Sequence, residues 1–473
     1  MKRLSLILLS ILGMFSSLQS VSAAKFNENT QYSRLIIESR IRDFYANTKQ
    51  RGLNVFDQQG QQIASSAGEL DFDYVPGLVA KAIIEAAQYY SDQSWARPWF
   101  YSIESYANAC AAKVPVRGGS LDDLNATKMY FGVYDLAKPG APFSSIANPN
   151  TVANARMAMQ RATEGLRLHD AKYSITKDIL ADAAGGWWHK KSYDNQMWLD
   201  GQYMGPALLA QLRSYGFSLT GDEKKDWNLI TKQFTITWKY LWDADKQLLY
   251  HAFAAVPEAK TSVCWSDKSL YRSQEYWARA EGWYFLALVD VLEQMQNAGL
   301  AETANFATLK GYLNEVAAGL ARWQDKKTGL WYQLLAHDGK FYADTYQGKN
   351  YPKTYNYLES SASAIFIATY LKGMRLGLYT ADYTPIAKKA YRGFIKEFVV
   401  SDNNGGIHLI NCCRSAGLGG SNNRDGSAAY YLLGPDVTRT TAEMQQTEGK
   451  VLGAFILAAT EYERLKAAGH TRK

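Results

Sequence analysis

The sequence predicts an all-α protein, an (α/α)6 barrel of about six inner and six outer helices. The first observation behind this prediction is that the apolar residues keep a helical period from Gln31 to Lys466. The second is that helices with a Lys-rich polar face alternate along the chain with helices that carry small residues on several sides. Because small residues all round suit a helix packed closely on both sides, the alternation predicts an outer layer around an inner ring.

Apolar spacing and capping signals place about twelve helices along the chain. They are expected at 31–47, 74–91, 93–112, 121–137, 152–168, 195–215, 221–243, 274–298, 303–324, 357–377, 384–398 and 443–467. Ser120 followed by Asp123 is a capping-box type of start for the fourth helix. Lys-rich faces mark the seventh and eleventh helices as outer, whereas glycine and alanine mark the sixth, eighth, tenth and twelfth as inner.

The first 24 residues are expected to be a secretory signal peptide. Lys2 and Arg3 precede the apolar run 4–15, and Ala23 and Ala24 close a small-residue cleavage site. The run is too short to anchor the chain in a bilayer, so we expect an exported protein, periplasmic or secreted, with no membrane contact after cleavage. The length prior alone would allow roughly three domains. Because no linker interrupts the pattern, residues 25–473 are expected to form a single barrel domain.

The cysteines do not indicate a metal centre. Cys110, Cys264, Cys412 and Cys413 match no zinc or haem spacing. Adjacent cysteines rarely bridge each other because the ring is strained. Two possibilities remain open. Either one cysteine of the adjacent pair forms a disulfide with Cys110 or Cys264, or the cysteines are free, buried thiols.

The net charge of +7 is spread along the chain without a long Lys/Arg block, so no nucleic-acid partner is expected. A mildly positive balance suits a polyanionic substrate. Nothing in the sequence indicates an oligomeric state.

The long loops are expected on one face of the barrel. They fall near 169–194, 244–273, 325–356 and 399–440, and each precedes an even-numbered helix. In an up-and-down ring such loops emerge together, beside the N-termini of the inner helices. Helix N-termini carry partial positive charge and free N–H groups, which favour anionic ligands. We therefore expect the functional site on this face.

The stretch 186–204 surrounds one carboxylate, Asp200, with tryptophans, a tyrosine, amides and a histidine. Aromatic faces suit the apolar faces of sugar rings, and amides and imidazole suit hydroxyls and carboxylates. An acid held against apolar rings tends to stay protonated, as general-acid chemistry requires. The alternative interpretation is a buried, aromatic-rich helix start with a capping acid.

A second carboxylate is expected in the same cavity. Asp122 and Asp123 begin the fourth helix, and Asp123 is explained by capping, whereas Asp122 has no such role. Two carboxylates in one aromatic pocket are typical of acid/base chemistry on glycosides.

Four further side chains are candidates for the site. Arg279 and Trp283 stand at i, i+4, so a guanidinium beside an indole can hold a carboxylate while the ring stacks on a sugar. The alternative is an ion pair between Arg279 and Glu275, also at i, i+4. His189 and His251 lie in two of the long loops and lack metal-ligand spacing; a lone histidine is more often structural, but their position favours a functional role.

Together these residues make the chain resemble the unsaturated rhamnogalacturonyl hydrolases of glycoside hydrolase family 105, relatives of the unsaturated glucuronyl hydrolases. The resemblance covers nearly all of residues 25–473. Its motifs are Ser120-Leu121-Asp122, Trp187-Trp188-His189-Lys190, Met197-Trp198-Leu199-Asp200-Gly201, Tyr203-Met204-Gly205, Leu249-Tyr250-His251, Trp277-Ala278-Arg279 with Gly282-Trp283, Glu359-Ser360-Ser361-Ala362, Gly417-Leu418-Gly419-Gly420 and Asp425-Gly426-Ser427. Each motif is weak alone, and the set is specific.

The resemblance implies an (α/α)6 barrel and hydration of a double bond, not direct attack on a glycosidic bond. The implied substrate is an oligosaccharide, left by a polysaccharide lyase, with a 4,5-unsaturated uronic acid at its non-reducing end. By resemblance, Asp200 is the general acid and base, Asp122 is a supporting carboxylate, and Arg279 binds the uronate carboxylate. The residues implied to line the subsite are His189, His251, Trp277, Trp283 and Tyr74. No metal or organic cofactor is implied.

The chain departs from the family pattern at Ala280-Glu281, where relatives often have Gly-Asn, so Glu281 is expected to add negative charge beside the carboxylate site. Two other interpretations compete. One is an inverting endo-hydrolase or a lyase on the same toroid, and bulky Trp187 and Trp188 with the long loops favour a closed pocket over the open cleft that it needs. The other is a non-catalytic glycan-binding protein; such proteins are usually lipid-anchored, and no cysteine follows the cleavage region.

Overall fold

The computed structural model describes residues 22–40, 53–65, 71–401, 406–420, 422–441 and 447–470. The α-helices are α1 Tyr32–Arg40, α2 Tyr74–Tyr89, α3 Arg97–Cys110, α4 Asp122–Asn125, α5 Met129–Ala137, α6 Thr151–Lys172, α7 Leu199–Met204, α8 Pro206–Ser214, α9 Glu223–Leu241, α10 Ala278–Asn297, α11 Ala304–Arg322, α12 Ser360–Arg375, α13 Thr384–Phe398, α14 Ala428–Leu433 and α15 Gly449–His470. The strands are β1 Ser22–Ala23, β2 Val55–Phe56, β3 Gln62–Ala64, β4 Gln196–Trp198, β5 Trp242–Asp243, β6 Leu248–Leu249, β7 Ala252–Ala254, β8 Tyr342–Tyr346, β9 Lys349–Tyr355, β10 Val399–Ser401 and β11 Ile407–Leu409. Residues 1–21 of the predicted signal peptide, and residues 41–47 of the first predicted helix, lie outside the described residues.

The helices form two concentric rings. The inner ring runs through α2, α4–α5, α7–α8, α10, α12 and α15, and α15 packs against α2 to close it. The outer helices α1, α3, α6, α9, α11 and α13 each pack on an inner neighbour. The predicted (α/α)6 barrel is therefore confirmed. The rings differ as their sequences predict: α10 is buried from Ala278 to Leu292, whereas α13 exposes its lysines.

Two of the inner helices are broken where the sequence predicts continuous ones. In place of one helix over 195–215, the chain forms strand β4, helix α7, a break at Gly205-Pro206 and helix α8. Pro206 lacks the N–H that a continuing helix needs, so it begins a new helix instead. The fourth predicted helix is α4 and α5 joined by a 3-10 turn over Ala126–Lys128. Its predicted cap is present, since the Asp123 N–H donates to Ser120 Oγ at 3.4 Å.

The strands are short and belong to the loops. β1, β10 and β11 form one small sheet in the order β1-β10-β11, and the other strands pair in twos. The strand pair β8–β9 and the short helix α14 were not predicted, because elements this short have no distinct apolar period. Within the described ranges, no helix is long and apolar enough to cross a membrane.

Candidate active site

A cavity of about 140 Å³ opens at the N-terminal ends of the inner helices. It is lined by Tyr74, Asp122, His189, Lys190, Tyr193, Trp198, Asp200, Met204, Trp277, Arg279, Trp283, Ser415, Ala416, Gly417 and Arg424. Every predicted site residue except His251 is among them. The predicted loop face is thus the face on which these side chains converge.

The inner helices bring these side chains together by presenting their first turns. Tyr74 and Asp122 are the first residues of α2 and α4, and Asp200 and Arg279 are the second residues of α7 and α10. In a closed ring of inner helices the first turns meet around one axis. Because each N-terminus adds partial positive charge, the cavity favours an anionic ligand.

Asp122 is held by two cationic or potentially cationic neighbours. Its Oδ2 lies 2.6 Å from Lys190 Nζ, and its Oδ1 lies 3.3 Å from His189 Nε2. The Leu121 N–H donates to the His189 carbonyl at 3.1 Å, which fixes the loop against the start of α4. Burial lowers the pKa of Lys190, but Asp122 outweighs it and the net pKa is raised. Asp122 therefore enters the cavity as one half of a persistent ion pair.

Three parallel rings form one wall of the cavity. His189 stacks on Trp198 with ring centres 5.3 Å apart, and Tyr193 stacks on Trp198 at 4.6 Å. The helix α7 approaches this wall closely at Gly201, where a Cβ would lie 3.1 Å from His189 Nδ1. Burial lowers the pKa of His189, although Asp122 acts in the opposite direction, so its neutral form is favoured.

Asp200 lies against His251, which in turn contacts Tyr431. Asp200 Oδ2 lies 3.2 Å from His251 Nε2, and His251 Nδ1 lies 2.6 Å from the Tyr431 hydroxyl. Strands β4 and β7 bring Asp200 and His251 together. They pair Trp198, two residues before Asp200, with Ala252, the residue after His251, and the Leu199 N–H donates to the His251 carbonyl at 3.0 Å. His251 is fully buried and lies behind Asp200, so it contacts the carboxylate and does not line the cavity.

The expectation that Asp200 stays protonated is wrong for the empty cavity. Burial raises the pKa of Asp200, as expected, but the hydrogen bond and charge of His251, with the charge of His189, outweigh burial and lower it below its ordinary value. The sequence placed the aromatic rings correctly. It did not show that a loop residue would bring an imidazole to the carboxylate.

Arg279 forms the opposite side of the cavity. Its Nη1 donates to Ser361 Oγ at 3.2 Å and to the Cys413 carbonyl, and its guanidinium lies 4.6 Å from the centre of the Trp277 ring. Both hydrogen bonds use Nη1, so Nη2 and Nε are the donors that we expect to face a ligand carboxylate. The alternative partner Glu275 is instead 3.0 Å from His337 Nε2.

Two sequence-based expectations about neighbouring residues are corrected. Glu281 does not add charge to the cavity: it is fully buried, its Oε2 accepts from the Leu249 N–H at 2.9 Å, and burial raises its pKa to about 8. Trp187 and Trp188 do not close the pocket either. Neither lines it, and the indole of Trp187 is buried and donates to Asp170 at 2.7 Å.

Several lining residues were missed as site residues. Lys190 and Trp198 stand within the stretches that were singled out, beside His189 and Asp200, so their positions carried a signal. Ser415, Ala416 and Gly417 come from the loop 399–440, whose face was predicted but whose contacts depend on the closed ring. The described residues contain no group of three or more His, Cys, Asp or Glu side chains placed to hold a metal ion.

The chain matches the family described as Glycosyl Hydrolase Family 88 over residues 46–466. It belongs to this family. In sequence the family 88 chain is similar to Protein Atu3128 of Agrobacterium fabrum, 32% identical over 203 residues, which are 42% of this chain and 76% of that protein.

Solved structures agree with this assignment. The glycoside hydrolase from family 105 of C. acetobutylicum ATCC 824 is 28% identical, with a TM-score of 0.68 over 92% of this chain and 100% of that chain. The unsaturated glucuronyl hydrolase of Bacillus sp. GL1, 13% identical, shares the fold, with a TM-score of 0.52 over 92% of this chain and 97% of that chain. The resemblance to family 105 that the sequence predicts is confirmed, and the protein is a glycoside hydrolase.

Proposed function

We propose that this hydrolase releases the 4,5-unsaturated uronic acid from the non-reducing end of lyase-generated oligosaccharides of the pectin rhamnogalacturonan type or similar. The observation that carries the proposal is the unequal pairing of the two cavity carboxylates. Asp122 is tied to Lys190, whereas Asp200 has His251 as its partner and lies beside sugar-stacking rings. One carboxylate is thus paired with a lysine, whereas the other has an imidazole as its partner and is the candidate for proton transfer.

The chemistry needs one proton donor, one water and a carboxylate clamp. Arg279 binds the uronate carboxylate, and Trp283 packs on the ring. Asp200 delivers a proton to C4, and water adds at C5, so the double bond is hydrated and Asp200 recovers a proton from the water. The resulting hemiketal opens, and the glycosidic oxygen leaves with the remaining saccharide. The anomeric carbon is not attacked, so no glycosyl-enzyme forms and no retaining pair of carboxylates at ~5–5.5 Å is needed.

Substrate binding should favour the protonated form of Asp200. A uronate carboxylate brings negative charge toward Asp200, and the sugar ring removes water from it. Both effects raise the pKa of a carboxyl group and oppose the lowering by His251 and His189.

The size of the cavity distinguishes this proposal from an endo-acting hydrolase or lyase. A cavity of about 140 Å³ suits a terminal sugar ring, whereas an internal chain segment needs a longer, open cleft. The similar structures support the substrate class, since one belongs to family 105 and another bears the name unsaturated glucuronyl hydrolase. A cavity with an acid, a base partner and a cation has the groups for catalysis as well as for binding, which favours an enzyme over a glycan-binding protein.

The test is hydrolysis in heavy water. The released keto-uronate should carry deuterium at C4, delivered to one face because Asp200 is fixed on α7, and the ultraviolet absorbance of the unsaturated ring should disappear. A saturated uronide should bind without being cleaved. Efficient cleavage of the saturated uronide, or product without deuterium at C4, would refute hydration and favour direct hydrolysis.

Substitution of Asp200 tests the assigned acid. Asp200→Asn preserves shape and removes the transferable proton, so turnover should fall by about 10²–10⁴-fold or more. The matched control is Asp123→Asn, an exposed neighbour of Asp122 that does not line the cavity, which should keep normal turnover. Near-normal turnover of Asp200→Asn would exclude it as the proton donor.

A further inference from the structure

A basic groove runs along the outside of the barrel beside α13, far from the helix ends that form the active-site cavity. We call it the α13 groove; its volume is about 1060 Å³. The cationic residues that line it are Lys25, Lys327, Lys388, Lys389, Arg392 and Lys396. Only two acidic residues line it, Asp382 and Glu397, so the groove has a clear excess of positive charge.

The positive charges are aligned and largely uncompensated. Lys388, Arg392 and Lys396 stand four residues apart on one exposed face of α13, so their Cα atoms are ~6 Å apart along the helix axis. Within the described ranges, only Lys396 among the groove cations lies as near as 4.0 Å to a carboxylate, that of Glu397. Asp382 caps the start of α13 by accepting from the Thr384 N–H at 2.9 Å.

Lys396 is the cationic lining residue nearest the C-terminus of α13, and α13 continues directly into β10. Ser415 and Gly417, which follow β11 in the chain, line the cavity. The groove and the cavity share no lining residue, so a ligand in the groove would occupy a separate site.

We propose that the α13 groove binds an acidic polysaccharide, the uronate-containing polymer from which the substrate is produced, as a second, non-catalytic glycan site. Only the choice of polymer rests on the proposed function. The charge and shape of the groove are independent of that function. A row of cations at regular spacing matches a chain with repeated carboxylates. None of the large exposed apolar side chains of the described residues lines the groove, which favours a polysaccharide over a lipid surface.

The competing explanation is that these lysines and arginine are ordinary solvated residues of an outer helix. The outer helix α9 provides a matched comparison, because it exposes Lys224, Lys225 and Lys232 and none of them lines the α13 groove. Removing three positive charges from either helix changes the net charge equally. A difference between the two variants then reports the groove and not the overall charge.

The experiment measures binding of the full chain to polygalacturonate by calorimetry at low and physiological salt. Lys388→Gln/Arg392→Gln/Lys396→Gln should weaken binding roughly tenfold and flatten its salt dependence. Lys224→Gln/Lys225→Gln/Lys232→Gln should bind as the parent does. Equal weakening in both variants, or equal binding of uncharged dextran by the parent, would overturn the proposal.

Two further measurements distinguish this proposal from membrane binding and from the proposed catalytic function. Vesicles of equal parts phosphatidylglycerol and phosphatidylcholine should bind less tightly than the polymer; tighter binding to vesicles, lost in the α13 variant, would assign the groove to a membrane surface instead. Both triple variants should cleave a short unsaturated disaccharide as the parent does. Polymer binding without any such cleavage in the parent would contradict the proposed function alone, whereas cleavage without polymer binding would contradict the groove alone.

Discussion

At the scale of single residues, the two cavity carboxylates differ because their partners differ. Lys190 pairs with Asp122, whereas His251 and Tyr431 extend a chain of contacts behind Asp200. Environments that separate the behaviour of two acids in this way assign them different tasks. The chemistry of Asp200 therefore depends on residues that no ligand touches.

Tyr431 should act as a positioning residue through His251. Tyr431→Phe leaves the buried Nδ1 of His251 without its partner at 2.6 Å, so the ring is held less firmly against Asp200. The contact with His251 lowers the pKa of Asp200, and loosening it weakens that effect. The pKa of Asp200 should then rise, so the alkaline limb of kcat/KM should move to higher pH, and kcat/KM at its optimum should fall roughly tenfold. Steady-state kinetics across pH measure both changes.

The control for this variant is Tyr391→Phe. Tyr391 is also buried, its hydroxyl lacks a hydrogen-bond partner among the described residues, and it lies far from the cavity lining. This control should leave the pH profile unchanged. An unchanged profile in Tyr431→Phe would show that Tyr431 only packs against His251.

Glu281 should make the stability of the protein depend on pH. Burial raises its pKa to about 8. At a pH between its ordinary pKa and this value, the carboxyl group is therefore neutral in the folded protein but ionised in the unfolded chain. Its contribution is fully present below its ordinary pKa of 4.5 and is lost as pH rises toward 8. Glu281→Gln removes this dependence and keeps an acceptor for the Leu249 N–H.

Denaturant unfolding at pH 5 and pH 8 measures this effect. The difference in unfolding free energy between Glu281→Gln and the parent should shift in favour of the variant by roughly 2–4 kcal/mol when the pH is raised from 5 to 8. The absolute stability of the variant at pH 5 is not the readout, because a buried amide brings its own hydrogen-bond requirements. A pH-independent difference would mean that Glu281 is ionised in the folded protein.

At the scale of elements, the first turn of α7 is the most constrained part of the site. Strand β4 replaces the predicted start of this helix, and its pairing with β7 sets where the helix begins. Gly201 in this turn lets the helix approach the ring of His189. The element therefore fixes both Asp200 and the wall of stacked rings.

Gly201→Ala should reduce activity without unfolding the protein. The added Cβ would lie 3.1 Å from His189 Nδ1, so the ring must shift against Asp122, and kcat/KM should fall roughly tenfold or more. Gly311→Ala in α11 is the control, because no atom lies within 4 Å of its added Cβ. The control should retain activity and gain up to about 1 kcal/mol of helix stability. Full activity in Gly201→Ala would show that the contact is not restrictive.

At the scale of the whole molecule, ring closure and apolar burial account for the fold without covalent links. The inner helices pack continuously from α2 to α15, and a contiguous apolar core extends through both rings. All four cysteines are free, which resolves the alternatives that the sequence left open. The exported location that we expect from the sequence remains a prediction.

Thiol counting tests this arrangement. Protein purified without reductant and unfolded in denaturant should expose four reactive thiols, and reductant should leave the melting temperature unchanged. In the native protein, Cys264 should react first, because Cys110, Cys412 and Cys413 are buried. Two thiols in the denatured protein, or none, would indicate disulfides and contradict this arrangement.

The sequence by itself determined the number and order of the main barrel helices and the face on which the long loops lie, although it did not show the breaks in two inner helices. Apolar period and small residues are local properties, and they identify inner helices such as α10 independently of the rest of the chain. In a closed ring the first turns of these helices meet, so Asp122 and Asp200 could be assigned to one cavity from their positions, whereas Arg279 was assigned by resemblance.

Tertiary structure alone decided what those side chains do chemically. The lowered pKa of Asp200, the burial of Glu281 and the position of His251 behind the cavity all depend on loops brought from distant parts of the chain. Local sequence gave Asp200 its aromatic neighbours and hence the expectation of a protonated acid. Electrostatic interactions act through space, so the protonation of a buried carboxyl group is fixed by its three-dimensional neighbours and not by its neighbours in sequence.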